Sequence, residues 1–163
     1  DSLEIEFLGG DTDTSKVMNE YLANQLETNL PGLKINLKQV PFEQRLDANA
    51  SQDYELQFAG WGPDYLDPYT FMSLWITDGG NNKMGYSNPE YDRLLEEAQT
   101  TLALDPEARY ENLLKAEQIL FEDAAIAPIY QKGVAQLIRP KVGGIYSNSF
   151  GASYEWKWAY VAE

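Results

Sequence analysis

The chain has neither cysteine nor histidine among its 163 residues. Without thiols there is no disulfide framework and no thiolate nucleophile. Without imidazole the commonest general base and most zinc and haem ligands are missing too. Basic residues are scarce: 12 Lys and Arg face 26 Asp and Glu, a net charge of −14. That balance repels phosphate backbones and anionic membrane surfaces, which excludes nucleic acid as a partner. No apolar run is long enough to span a bilayer, and no signal peptide precedes the first strand-like segment. Because the chain also opens at Asp1 rather than Met, we expect a piece of a longer protein. Absent cysteine leaves the compartment open.

What is present suffices for one folded domain. Hydrophobic residues make up 44% of the chain and run along its whole length. Leu3, Ile5 and Phe7 alternate with Glu4 and Glu6, predicting a half-buried strand closed by Gly9-Gly10. Asp11, Thr12 and Asp13 supply turn and cap oxygens for a helix with Met18, Tyr21, Leu22 and Leu26 on one face, stopping at Pro31-Gly32. Asp11-x-Asp13-x-Ser15 resembles the start of a calcium loop. Lys16 replaces its glycine and Leu22 its closing glutamate, so we expect no metal site. Leu33, Ile35 and Leu37 predict a second strand, and strand, helix, strand in this order predicts a parallel βαβ unit. A short helix over Phe42–Ala50 and a strand over Tyr54–Ala59 follow.

The next stretch, Gly60-Trp61-Gly62-Pro63-Asp64-Tyr65-Leu66-Asp67-Pro68-Tyr69, places two carboxylates among aromatic rings. Loops beyond the carboxyl ends of strands are where α/β sheets collect ligands. An acid between flat apolar walls suits a cationic ligand group. The plainer reading keeps Trp61 in the core and makes Asp67 only a cap for a helix begun by Pro68. Gly79-Gly80-Asn81-Asn82 is a polar link.

Two further helices are signalled by Asn88-Pro89 and Asp105-Pro106, each a cap followed by proline at the first helical position. Their apolar stripes are Tyr91, Leu94, Leu95, Ala98 and Leu102, then Tyr110, Leu113, Leu114, Leu120 and Phe121, and the two should pair antiparallel. Glu117 falls within the second stripe. A buried carboxylate needs a partner, and with no nucleophile nearby we expect a structural ion pair rather than a catalytic acid. Ala125–Tyr130 and Val134–Ile138 predict a hairpin, and Tyr154–Val161 a last strand rich in aromatics.

Read together, the Gly60–Phe71 loop, Asn81-Asn82, Gly85-Tyr86-Ser87-Asn88-Pro89-Glu90-Tyr91-Asp92 and Lys115-Ala116-Glu117-Gln118-Ile119-Leu120 resemble the oligopeptide- and dipeptide-binding proteins of ABC importers. The similarity runs from about Leu3 to the C-terminus. It implies an α/β fold: a single three-layer-like lobe of the type II periplasmic-binding-protein kind, with a mixed sheet flanked by helices. Residues 1–139 would form the second lobe. Residues 140–163 would be a tail returning to a first lobe, leaving Trp156, Trp158 and Tyr160 short of their partner here. The resemblance implies an extracytoplasmic protein, periplasmic or lipid-anchored, that closes two lobes on an extended peptide and delivers it to a membrane permease. No cofactor, metal or covalent chemistry is implied. Asp64 would receive the peptide's α-ammonium, with Trp61 and Tyr65 as walls and Tyr69 and Asn82 as further contacts. Relatives usually carry a small residue before this aspartate where Pro63 stands here, which affects pocket shape rather than charge.

Two other readings stand beside it. An oligosaccharide ligand would use Trp61, Tyr65 and Trp75 as stacking platforms. A glycosidase would use Asp64 and Asp67 as its paired carboxylates.

Overall fold

The computed structural model describes residues 2–133, 135–148 and 151–163, and divides into two compact units. The first comprises residues 1–60 with 83–85; the second comprises 61–82 with 86–163.

The first unit is a parallel sheet with two helices. β1 (Leu3–Gly10) lies between β2 (Leu33–Val40) and β3 (Leu56–Gln57), both parallel to it. α1 (Asp13–Asn29) makes the crossover, so the strand–helix–strand unit forms as its alternation predicts. Thr12 caps the helix, its Oγ1 accepting from the Ser15 backbone N–H at 3.2 Å. Asp13 and Ser15 thus belong to a helix start rather than a calcium loop. Phe7, Ile35 and Ala23 form the buried centre, with Ile5, Leu22, Leu26, Leu33 and Phe58 around it.

The opposite sheet face carries charged residues alongside the fully buried Leu8. In the register Leu3↔Leu33, Glu4 meets Lys34 at 3.6 Å, while Lys38 bridges Glu6 and Asp53 at 3.0 Å each. Such exposed pairs contribute about 0–1 kcal/mol each, so the helix-covered face supplies most of the stability. Tyr21 departs from its expected place and is exposed. Asn19, Leu22, Ala23 and Leu26 define the inward stripe at i, i+3, i+4 and i+7, and Tyr21 falls outside it. α2 (Phe42–Ser51) buries no residue, and the Tyr54–Ala59 strand shrinks to the two residues of β3.

The second unit is built on two helices. α3 (Tyr69–Met72) runs into a 3-10 turn over Ser73–Trp75, then α4 (Pro89–Gln99) and α5 (Pro106–Glu122) follow. Asn88 and Asp105 cap α4 and α5 as their sequences predict, with proline at each first position. Asn88 also meets Asp123 at 2.8 Å, and Asn112 meets Glu97 at 3.0 Å, so the helices pack antiparallel. Tyr91, Leu94, Leu95 and Ala98 bury against Leu113, Ala116, Leu120 and Met72. The α5 stripe is only half used: Leu113 and Leu120 are inside, whereas Tyr110, Leu114 and Phe121 are exposed.

No hairpin forms over 125–138 among the described residues, which carry no regular structure there, and Val134 lies outside them. A strand needs a neighbour for its backbone groups, and no described segment provides one. The tail instead folds on itself. β4 (Val142–Gly143) pairs antiparallel with β7 (Tyr160–Val161), and inside that β5 (Tyr146–Ser147) pairs with β6 (Tyr154–Glu155). The expected strand over 154–161 is therefore two short pieces, with Trp156, Trp158 and Tyr160 exposed.

Gly144 fixes this arrangement. Its φ is +70°, and an added Cβ would lie 1.8 Å from the Trp158 carbonyl oxygen. Since the obstacle is backbone, we expect Gly144→Ala to open the β4–β7 pair. Hydrogen exchange should show lost protection at the Ala162 amide, now bonded to Lys141 O at 2.7 Å, while α4 and α5 amides stay protected. Among the described residues no helix is long and apolar enough to cross a membrane.

Candidate ligand-binding loop

The chain leaves β3 at its carboxyl end and enters a loop whose second half is tightly organised. Pro68 opens α3, and the Thr70 backbone N–H donates to Asp67 O at 3.2 Å. The Thr70 side chain, buried, accepts from the Asp64 N–H at 3.1 Å. Asp67 N–H donates to Tyr65 O at 2.9 Å. The backbone from 64 to 70 is thereby fixed from inside the loop.

The two acids of the loop have separate fates. Asp67 is consumed: Oδ1 accepts from the Tyr69 N–H at 2.8 Å, and Arg109 grips both oxygens, at 2.8 and 3.0 Å. The same guanidinium donates from Nε to Ala98 O at 2.9 Å, tying the loop to the end of α4. Asp64, by contrast, is exposed, and among the described residues nothing bonds to its carboxylate oxygens. Trp61 and Tyr65, near it in sequence, expose 43% and 45% of their surface. Tyr69 and Trp75 are half-buried and pack against the helical core.

Asn82 serves the backbone. Its amide nitrogen donates to Ile76 O at 3.0 Å and Tyr86 O at 2.6 Å, and its oxygen accepts from the Tyr86 N–H at 3.1 Å. Both ends of its amide are therefore engaged in closing the 76–86 loop. Tyr86 and Asn88 converge on Asp123, at 2.7 and 2.8 Å, and hold that carboxyl below its ordinary range. Burial, with Asp123 beside it, pushes the Tyr86 hydroxyl up to about 12.

Arg109 escapes a reading of the sequence. Its one signal is isolation, because it is the only base between Arg93 and Lys115 and so the only cation there to meet a loop acid. Its hold depresses the Asp67 carboxyl, chiefly through the guanidinium hydrogen bond and against some burial. A folded-state pKa below the ordinary 3.8 means the stabilisation is present above that value. It disappears as pH falls through the folded pKa. Arg109→Met should cost about 1–2 kcal/mol at neutral pH. In thermal melts the gap between wild type and Asp67→Asn should close only under acid, below roughly pH 4.

Residues 2–83 match the family described as bacterial extracellular solute-binding proteins, family 5 Middle. The chain belongs to that family. A dipeptide-binding protein of Lactococcus lactis is 36% identical over 98% of this family 5 chain, which spans 29% of that relative. The periplasmic oligopeptide-binding protein OppA of Salmonella typhimurium is 33% identical over 87% of the chain, covering 26% of the relative. Among solved structures, the substrate-binding domain of an oligopeptide ABC transporter from Bacillus anthracis superposes with a TM-score of 0.93 at 38% identity. It covers 99% of this chain and 32% of its own. Listeria monocytogenes OppA bound to peptide gives 0.87 at 38% identity, covering 100% of this chain and 30% of its own. This family 5 chain is thus α/β, with the fold of part of an OppA-type protein, and spans about a third or less of each of these four relatives.

Proposed function

We propose that these residues form part of the ligand-holding lobe of the peptide-binding component of an ABC importer, working outside the cytoplasm. Residues 1–139 belong to the second lobe, and residues 140–163 return to the first. The partners are an extended peptide, the first lobe and a membrane permease, and the protein is periplasmic or lipid-anchored. The observation carrying this reading is the division of labour between two acids of one loop: Asp67 is neutralised by Arg109 while the Asp64 carboxylate, with the exposed Trp61 and Tyr65 near it in sequence, meets no described residue.

An unpaired carboxylate with aromatic neighbours attracts a cation, and shutting a second wall over it would strengthen the pair by excluding water. Trp61 and Tyr65 flank the first ligand residue, and Tyr69 supports them from the core. Asn82 contributes by holding the neighbouring loop. Hydrogen bonds to the peptide main chain, made as in strand addition, would let one site accept many sequences.

The same arrangement argues against a glycosidase. Asp67 is held ionised by Arg109, the opposite of the raised pKa a general acid needs. The packing of one side of Trp75 against the helical core likewise weakens the oligosaccharide reading.

N-acetylation of the peptide tests the proposal. An exposed ion pair contributes only about 0–1 kcal/mol, so the measurement needs the full-length, two-lobed protein. Calorimetry with matched free and acetylated peptides should show binding only for the free amine. Equal affinities would refute the assignment of Asp64.

A further inference from the structure

The exposed half of α5 is continuous with a small apolar notch that no described residue fills. Its lining is Pro68, Met72, Tyr110, Leu113, Leu114 and Glu117, and it encloses about 100 Å³. Tyr110, Leu114 and Phe121 stand along α5 with exposures of 53%, 49% and 44%. Glu117 sits among them, half-buried, and among the described residues it has no hydrogen bond or ion pair. The expected structural pair is therefore absent on this side of the helix. A half-buried carboxylate beside apolar carbon is costly unless a cation meets it.

We propose that this face is covered, in the full-length protein, by a segment of the same polypeptide outside these 163 residues. That segment presents a Lys or Arg whose aliphatic stem fills the notch and whose charge pairs with Glu117.

Three independent features favour this occupant. The relatives are more than three times as long as the matched region, which is 29% of the lactococcal protein, so there is ample further chain. Residues 126–133 and 135–139 follow α5 with strand-like apolar runs but no strand structure, and Ile129, Leu137 and Ile138 are exposed. Strand-patterned residues beside a half-covered helix are what a layer missing its neighbour leaves behind. Charge argues against a second copy: each chain carries −14, and two such faces would bring Glu117 against another acidic surface. A Lys or Arg stem lies comfortably on apolar carbon while its head reaches a carboxylate, matching the chemistry of the notch. The proposal is independent of what Asp64 binds.

The test is carried out on the full-length protein. These residues contain no cysteine, so Leu114→Cys and Leu104→Cys can be labelled with a thiol reagent and located by peptide mapping. Leu104 is 98% exposed in the turn before α5 and serves as the open reference. The thiol introduced by Leu114→Cys should react at least about tenfold more slowly than the one introduced by Leu104→Cys, at any protein concentration. Equal rates overturn the proposal, and so does protection that vanishes on dilution, which would indicate a second copy. Tyr110→Cys gives a second reporter should Leu114→Cys fold poorly. For the cation, Glu117→Gln should lower the melting temperature and Glu117→Lys should lower it further, whereas Glu111→Gln, exposed in the middle of α5, should leave it unchanged. A neutral or stabilising Glu117→Gln would overturn the charge pairing.

Discussion

Replacing Asp64 by Asn in the full-length protein is expected to weaken peptide binding by about thirty-fold or more while leaving stability unchanged. The two halves of that expectation have different origins. Stability is spared because no described residue bonds to the Asp64 carboxylate, while its backbone N–H keeps the bond to Thr70 Oγ1. Asn retains size and shape and removes only the charge. Binding suffers because the peptide's ammonium would be left desolvated and uncompensated in a closed cleft. Truncating one member of such a pair costs about 2–5 kcal/mol, on the order of thirty- to several-thousand-fold in affinity. Asp67→Asn should behave in the reverse manner. Its carboxylate is occupied by Arg109 and the Tyr69 N–H, so the substitution should loosen the loop and lower the melting temperature. Titration calorimetry and thermal melts on the two variants separate these roles. An Asp64→Asn protein that binds normally, or one that unfolds, would reverse the assignment.

The second large effect is expected from Gly9→Ala, within the β1–α1–β2 unit. Gly9 lies at the end of β1 and is buried under Asn19 of α1. An added Cβ would come within 2.1 Å of the Asn19 amide nitrogen and 2.7 Å of its Cγ. Asn19 is fully buried and its nitrogen is held by Gly10 O at 3.3 Å, so it cannot swing away into solvent. Overpacking of this kind costs about 1–3 kcal/mol. Here, unlike at Gly144, the obstacle is a side chain. Adding Asn19→Ala should therefore recover part of the loss, giving a double-mutant coupling of about 1 kcal/mol or more in denaturant unfolding. Additive losses would mean that helix and strand do not meet through this contact.

These two sites show where residues alone are informative. The β1–α1–β2 unit follows from strict alternation, a threonine cap and a Pro-Gly stop, all local signals that tertiary contacts reinforce. The starts of α4 and α5 are equally legible, because Asn88-Pro89 and Asp105-Pro106 combine a cap with the residue best suited to the first turn. Asp67 as a turn and helix-start residue is readable on the same ground, although its Arg109 partner lies 42 positions away, beyond any periodicity. Asn19 is invisible for a related reason: an asparagine inside a helix looks solvent-facing until a pair of glycines brings the strand under it. The 125–138 segment fails in the other direction. Its pattern is that of strands, but strands exist only in pairs, and pattern cannot supply the neighbour. Half of the α5 stripe misleads in the same way, since apolar spacing marks a face that will be covered without saying by what.

The most direct test is a crystal structure of the full-length protein with a bound peptide. The peptide's terminal nitrogen should lie within hydrogen-bonding distance of an Asp64 oxygen, with Trp61 and Tyr65 on either side. A terminal nitrogen held by another acid, with residue 64 turned to bulk water, would contradict this placement.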